Sequence, residues 1–116
     1  MAEQPEQLLL GYVPVMSDDA LAEGQMVGVD VQGERVLLVR TQGRLHAVGG
    51  LCTHQIAPLE EGYLEGRTVT CPRHGAAFDL ATGEALGPPS DMPLPVYEVR
   101  ALAGRIWVSP FPRSSR

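Results

Sequence analysis

The sequence of 116 residues lacks the marks of membrane-spanning and secreted proteins. No apolar run approaches the ~18 residues that a membrane-spanning helix needs. The first residues, Met1 to Gln4, carry no basic and apolar signal sequence. We therefore expect a soluble protein in the cytoplasm.

Internal repeats, helical heptads and a glycine-rich phosphate loop are also missing. Only 2 cysteines are present, which fits a reducing compartment better than a disulfide scaffold. The net charge of −5 makes nucleic acid a poor partner. The acidic balance serves either solubility alone or attraction to a basic surface on redox partners. For the second case the candidate surface residues are Glu60, Glu61, Glu65 and Glu84.

The composition favours a single domain with many turns. The chain is 44% hydrophobic and 20% charged, as in ordinary globular proteins, and it contains 13 glycines and 10 prolines. We predict one domain over residues 1–116, with little reason for order at 1–7 and 110–116.

Strand patterns separated by glycine turns run through most of the chain. Val27, Val29 and Val31 alternate with polar or small residues, as in a strand with one buried face. Further strands are predicted at Leu8–Val13, Glu34–Thr41, Arg44–Val48, Tyr63–Leu64, Arg67–Thr70, Phe78–Leu80, Glu84–Leu86, Leu94–Ala101 and Arg105–Ser109, with a single helical turn after Ser17. Turns such as Gln32-Gly33, Gln42-Gly43 and Ala103-Gly104 predict consecutive hairpins. The fold class is therefore all-β and antiparallel.

Both cysteines have a histidine within three positions. Cys52-Thr53-His54 is followed after sixteen residues by Cys71-Pro72-Arg73-His74. Zinc takes two thiolates and two imidazoles, but its sites usually pair Cys with Cys and His with His. Mixed pairs suit a centre with two inequivalent irons, as in a Rieske [2Fe–2S] cluster. Zinc remains an alternative, and so do two purely structural cysteines.

The paired motif resembles the cluster-binding domain of the Rieske family. Pro58-Leu59 after the first loop, and Gly75 with Phe78-Asp79 after the second, match its pattern as well, and the resemblance covers roughly residues 8–109. It implies that Cys52 and Cys71 ligate one iron, and His54 and His74 the other. It also implies a β sandwich with a cluster-binding subdomain inserted at about residues 50–90.

The departures from the family pattern indicate which branch the chain is similar to. Respiratory members have a disulfide between the two loops, and the matching positions here are Ala57 and Arg73. Those members also have a serine and a tyrosine that donate hydrogen bonds to the cluster, where this chain has Ala76 and Phe78. Fewer donors stabilise the reduced cluster less. The resemblance therefore implies a low-potential ferredoxin of a bacterial oxygenase system.

The expected function is electron transfer. A flavin-dependent reductase would supply single electrons, and a terminal oxygenase, for example an aromatic-ring hydroxylating dioxygenase, would receive them at a transient docking site around His54 and His74. His46 is predicted to be an ordinary strand histidine, so no ligands remain for the mononuclear iron of an oxygenase, and we expect no catalytic residues. The alternatives are the Rieske-like small subunit of an assimilatory nitrite reductase and a zinc-stabilised interaction module.

Overall fold

The computed structural model describes residues 11–53, 57–73 and 75–113. In these residues two antiparallel sheets contain nine strands: β1 (Val13–Ser17), β2 (Met26–Val31), β3 (Glu34–Thr41), β4 (Arg44–Gly49), β5 (Tyr63–Glu65), β6 (Thr68–Thr70), β7 (Ala77–Asp79), β8 (Val96–Leu102) and β9 (Arg105–Pro112). Two 3-10 turns occupy Asp18–Ala20 and Leu59–Glu61. Among these residues, no helix is long and apolar enough to cross a membrane. The antiparallel all-β prediction is confirmed.

The large sheet has six strands in the order β1-β9-β8-β4-β3-β2. Its edge strands β1 and β2 also contact each other, so the sheet curls around an apolar core. The meander β2-β3-β4 turns at Gln32-Gly33 and Gln42-Gly43, where all four residues have positive φ. Positive φ at both central residues is the requirement of the tight turn that matches strand twist. These predicted hairpins are confirmed.

Strand β3 separates two buried clusters. Val36 and Leu38 face the core enclosed by the large sheet, while Leu37 and Val39 face a second core. All four side chains are fully buried, because successive residues of a strand point to opposite faces and both faces are covered here. The second core also contains both cysteines.

The small sheet, in the order β5-β6-β7, belongs to a segment inserted between β4 and β8. Those two strands are neighbours in the large sheet, where Ala47 pairs with Tyr97 and Val48 with Val96. The chain therefore leaves the large sheet after β4 and re-enters it at β8, which lies next to β4. The hydroxyl of Thr41 on β3 also donates to the carbonyl of Gly66 in the β5–β6 turn, at 2.8 Å.

The ends of the large sheet differ from the predicted boundaries. Pro14 lies inside β1 instead of ending a strand, because β1 is an edge strand, where a missing N–H donor is tolerated. The predicted residues 8–10 lie outside the described residues. β9 continues past Ser109 to Pro112, and the N–H of Arg113 donates to the carbonyl of Val96. The predicted lack of order from residue 110 therefore does not hold for 110–113.

Candidate metal centre

The two cysteine loops have the same local construction. In the first, the N–H of Cys52 donates to the carbonyl of Ala57 at 3.0 Å; in the second, Cys71 donates to Ala76 at 2.7 Å. In both loops the bonded residues are five positions apart, and the cysteine is the first residue of the loop. The two cysteines therefore begin two loops that are closed by the same type of backbone hydrogen bond, in agreement with the paired motif.

Both cysteine side chains are buried in the same apolar cluster. Cys52 is 3% exposed and Cys71 is 2% exposed. The cluster also contains Ala57, Leu59, Val69, Ala76, Phe78, Leu80 and Leu94. No disulfide joins the two cysteines. Two thiols from matching loops in a water-poor setting fit the cysteine half of a Rieske site.

The predicted histidine half lies outside the described residues. His54 and His74 fall in the two gaps, as do Gln55 and Ile56. Within the described ranges, no three His, Cys, Asp or Glu side chains gather into a metal site. The four-residue ligand set thus remains a prediction, which the arrangement of the cysteines supports.

The positions that depart from the respiratory pattern are apolar around the site. Ala57, Ala76 and Phe78 are all fully buried, and Phe78 is the largest fully buried side chain. Arg73 is exposed. None of the three buried side chains has a polar atom. They therefore provide no side-chain hydrogen-bond donor to the centre.

Two polar contacts that the sequence analysis did not find hold the first loop in place. The hydroxyl of Thr53 is within hydrogen-bond distance of Ser90 and of the carbonyl of Met92. Arg35 pairs with Glu60 just beyond the loop, and its carbonyl accepts the N–H of Gly50 just before it. The side-chain contacts join residues that are far apart in the chain, 25 positions for Arg35 and Glu60 and 37 positions for Thr53 and Ser90, which no local pattern reveals. Ser90 and Met92, which follow Pro88-Pro89, thus belong to a segment that contacts the first loop.

The acidic residues do not form one uniform surface. Glu61, Glu65 and Glu84 are exposed, as an attracting surface would require. Glu60 is partly buried in its ion pair with Arg35. One of its carboxylate oxygens is buried with no hydrogen-bond partner among the described residues. Glu60 therefore forms an ion pair at the base of the first loop and is not one of the acidic residues of the docking surface.

His46 lies on β4, paired with Val39 of β3. Burial lowers its pKa below the ordinary 6.5, and the positive charge of Arg67 lowers it further. Asp79 opposes this effect, while Arg44 adds to it. The neutral imidazole is therefore favoured. The structure confirms a strand histidine.

Asp79 organises the turn after the second loop. Burial alone would raise the pKa of its carboxyl group, but a hydrogen bond from Arg67 and the N–H groups of Ala81 and Thr82 outweigh burial and lower it. The carboxylate thus stays charged and holds the turn through Gly83. The turn follows β7 as predicted, but the predicted strand Glu84–Leu86 is reduced to an isolated bridge between Ala85 and Phe78.

Comparison with known proteins identifies the class. Residues 11–98 match the Rieske [2Fe-2S] domain. The chain is 40% identical over 89 residues, 77% of this chain and 86% of the relative, to the ferredoxin component of the naphthalene 1,2-dioxygenase system of Pseudomonas putida. The chain thus belongs to the Rieske [2Fe-2S] family, and its cofactor is a Rieske-type [2Fe–2S] cluster.

Two solved structures resemble the fold closely. One is a chain of the complex of reduced oxygenase and oxidized ferredoxin in carbazole 1,9a-dioxygenase, with a TM-score of 0.84, 30% identity, and coverage of 90% of this chain and 98% of that chain. The other is a candidate small subunit of an NADH-dependent nitrite reductase from Mycobacterium tuberculosis, with a TM-score of 0.76, 32% identity, and coverage of 84% and 92%. Two of the functional classes considered from the sequence, the ferredoxin and the nitrite reductase small subunit, are thus represented among proteins of this fold.

Proposed function

We propose that this protein is a low-potential Rieske ferredoxin, which carries single electrons from a flavin-dependent reductase to a terminal oxygenase. The observation that carries the proposal is the match over 86% of the length of a dioxygenase-system ferredoxin component. Such a match accounts for nearly the whole relative, so no separate catalytic domain is needed to explain it. The protein acts as a carrier and not as an enzyme.

The ligand assignment completes the site that the two loops begin. Cys52 and Cys71 bind one iron, and His54 and His74 bind the other. When bound, the cluster supplies a one-electron redox couple, which neither thiolates nor imidazoles provide alone. The chain contributes buried thiolates, an apolar wall around them and two loops that keep the ligands together.

Electron exchange takes place at the histidine side of the site. The cysteines face the buried core, so the shortest route out of the molecule runs through the opposite side of the cluster. We place the docking site for reductase and oxygenase around His54 and His74, with Glu61, Glu65 and Glu84 as acidic contributors. The buried, unbridged cysteines fit a reducing cytoplasm.

The first test is electron paramagnetic resonance of the anaerobically purified protein after dithionite reduction, together with its iron and zinc content. We expect a rhombic Rieske spectrum and two irons per chain. Substitution of Cys52, His54, Cys71 or His74 by Ser or Ala should abolish this spectrum. His46→Ala, which leaves every proposed ligand in place, is the control and should retain it. A colourless protein with one zinc would overturn the redox function.

The second test separates the two functional classes. A ferredoxin should be isolated free of large partners and should restore NADH-driven turnover to a reductase and an aromatic-ring dioxygenase. The small subunit of a nitrite reductase should instead purify in a stable complex with a sirohaem subunit. The solved nitrite reductase homologue makes this second outcome worth testing.

A further inference from the structure

A cavity of about 260 Å³ lies between the large sheet and the turn after the second loop. The lining residues that carry a charge or an imidazole are Arg44, His46, Glu98, Arg100 and Arg113. Three arginines therefore share the cavity with a single glutamate, although the chain as a whole has a net charge of −5. We call this space the arginine cavity.

Strand alternation places most of these side chains on one face of the large sheet. Ala47 of β4 pairs with Tyr97 of β8, and both belong to the core enclosed by that sheet. Successive residues of a strand point to opposite faces, so His46 and Glu98, which lie next to this pair, point the other way. The arginines two positions further from the pair on β4 and β8 share this face. It is the face that the inserted segment covers.

Arg113 is held at the same cavity by two hydrogen bonds. Its backbone N–H donates to the carbonyl of Val96 at 2.6 Å, and its guanidinium group donates to the carbonyl of Ala81 at 3.0 Å. The second bond joins the end of β9 to the turn after the second loop. A guanidinium group has five N–H donors, so Arg113 can bind a further acceptor while it keeps this bond.

Glu98 balances the positive charge only in part. Its carboxylate lies 3.4 Å from Arg100 and 3.6 Å from Arg113, and each of the three side chains is at least 36% exposed. Exposed ion pairs of this kind are weak. Among the described residues Arg44 forms no ion pair. The cavity therefore has more positive charge than its own carboxylate can neutralise.

His46 adds a hydrogen-bond donor to the cavity without adding a charge at neutral pH. Burial lowers its pKa below 6.5, Arg67 and Arg44 lower it further, and Asp79 opposes them. Asp79 is itself paired with Arg67 at 3.0 Å, so its carboxylate has a partner outside the cavity lining. A neutral imidazole has one N–H, which can donate to a bound anion.

We propose that the arginine cavity binds a small oxyanion of the phosphate type, held by the guanidinium groups of Arg44, Arg100 and Arg113. The planar fork of arginine matches the oxygen geometry of phosphate and binds it through paired hydrogen bonds. Pockets for drug-sized ligands have volumes of about 300–1,000 Å³, so this smaller cavity fits a small ion better.

This site goes beyond electron transfer, because none of its lining residues is a proposed ligand of the cluster. A bound oxyanion would connect β4 and β8 to the end of β9. Through the bond between Arg113 and Ala81 it would also connect the large sheet to the inserted segment. The site would then stabilise the contact between the two parts of the domain.

The test is a nuclear magnetic resonance titration of the oxidised, cluster-loaded protein with sodium phosphate at neutral pH. Sodium chloride keeps the ionic strength constant, which separates binding from general screening. We expect Arg44→Gln and Arg113→Gln each to weaken phosphate binding about tenfold, because each removes charge-assisted hydrogen bonds. Glu98→Gln should act in the opposite direction and tighten binding about two- to fivefold, since it releases two arginines from a competing carboxylate.

The ring of His46 gives a second readout in the same experiment. A bound oxyanion brings negative charge to the imidazole and therefore raises its pKa. We expect a higher pKa of His46 in phosphate than in chloride of the same ionic strength. The difference between the two salts should shrink in Arg44→Gln.

Arg105→Gln is the matched control, because it removes an exposed arginine of β9 that does not line the cavity. It should change neither the affinity for phosphate nor the pKa of His46. Equal responses of the wild type to phosphate and to chloride would overturn the proposal. So would weakening by Arg105→Gln as large as that by Arg44→Gln, or weaker binding in Glu98→Gln.

A further arm uses the acidic peptide hexaglutamate in place of phosphate. Binding of this peptide without binding of phosphate would assign the cavity to an acidic protein segment and would also overturn the proposal. The electron-transfer function is tested separately by the Rieske spectrum, so either one can fail while the other stands.

Discussion

At the scale of single residues, Phe78 is a position that affects the number of side-chain hydrogen-bond donors near the cluster. Its ring is fully buried in the apolar cluster that contains both cysteines. Phe78→Tyr adds one hydroxyl at the position where respiratory members of the family have a donor. A hydrogen bond of about 0.5–1.5 kcal/mol corresponds to roughly 20–60 mV for one electron. We expect film voltammetry to show a potential higher by that amount.

The sequence offers a matched control for this change. Phe111→Tyr adds the same hydroxyl to the chain's other phenylalanine, which is 74% exposed on β9. It should leave the potential unchanged. An equal rise in both variants, or none with Phe78→Tyr, would contradict the interpretation that missing donors keep the potential low.

His46 should make the stability of the protein depend on pH. Burial, with Arg67 next, lowers its pKa below 6.5, so the folded protein binds a proton there less readily than the unfolded chain. As the pH falls below 6.5, proton uptake therefore favours the unfolded state. We expect His46→Gln to lose less free energy of unfolding than the wild type between pH 7 and pH 5, measured in urea.

The wild type and His46→Gln differ only at this position, so the other charges near His46 contribute equally to both proteins. Asp79 and Arg44 stay in place in the variant, and so do Glu98, Arg100 and Arg113, which line the same cavity. Asp79 has a pKa lowered from 3.8 and therefore titrates below this window. Equal pH dependence of the two proteins would contradict the assignment.

At the scale of elements, Gly83 connects the turn after the second loop to Leu94, two residues before β8 begins. Its φ is +77°, its carbonyl accepts the N–H of Leu94, and a Cβ there would lie 2.1 Å from the Leu94 carbonyl oxygen. Gly104 also has a φ of +77°, but a Cβ there would meet nothing within 4 Å. The close approach to Leu94, together with that to the Val96 side chain at 2.9 Å, distinguishes buried Gly83 from exposed Gly104.

We therefore expect a difference between two alanine substitutions. Gly104→Ala should cost about 1–2 kcal/mol, because of the left-handed backbone alone. Gly83→Ala should cost ~1–3 kcal/mol more, since the backbone around Leu94 must also move. Urea unfolding of the two variants measures the difference. An equal loss of free energy of unfolding in the two variants would show that the backbone around Leu94 moves without strain.

The same elements show which parts of the fold can be predicted from sequence. The hairpins at Gln32-Gly33, Gln42-Gly43 and Ala103-Gly104 follow from local turn chemistry and were predicted with their strands. The ends of strands depend on neighbours, so the predicted boundaries at Pro14 and Ser109 were wrong. β9 runs on to Pro112 because β8 offers it a partner: Tyr97 pairs with Pro112.

The metal centre also has parts that can be predicted from the sequence and parts that cannot. The spacing of Cys52 and Cys71 predicted two matching loops, because each motif is local and its chemistry is specific. The contacts of Thr53 with Ser90 and Met92 were not predictable, since only the folded chain brings these residues to the first loop. The ion pair that withdraws Glu60 from the docking surface depends on Arg35, 25 positions earlier. Local chemistry thus predicts the ligands, and tertiary structure supplies their support.

At the scale of the whole molecule, the two apolar cores have different relations to the cluster. One core contains both cysteines together with Val69 and Phe78 of the small sheet, and the other lies within the large sheet. β3 contributes to both cores and separates them. β4 does the same, with Val48 in the core that contains the cysteines and Ala47 in the other. Cluster binding should therefore stabilise the inserted segment directly and the large sheet through these shared strands.

Removal of the cluster should consequently loosen one core before the other. We expect amide hydrogen exchange, followed by mass spectrometry, to accelerate about tenfold or more over residues 57–80 after chelation of the iron. Exchange in β2, β8 and β9 should change least, because their core contains no ligand. Cys52→Ser, which never loads the cluster, should reproduce the pattern of the chelated wild type. Equal acceleration in both sheets would instead mean that the two cores unfold as one unit, with the cluster stabilising the whole domain.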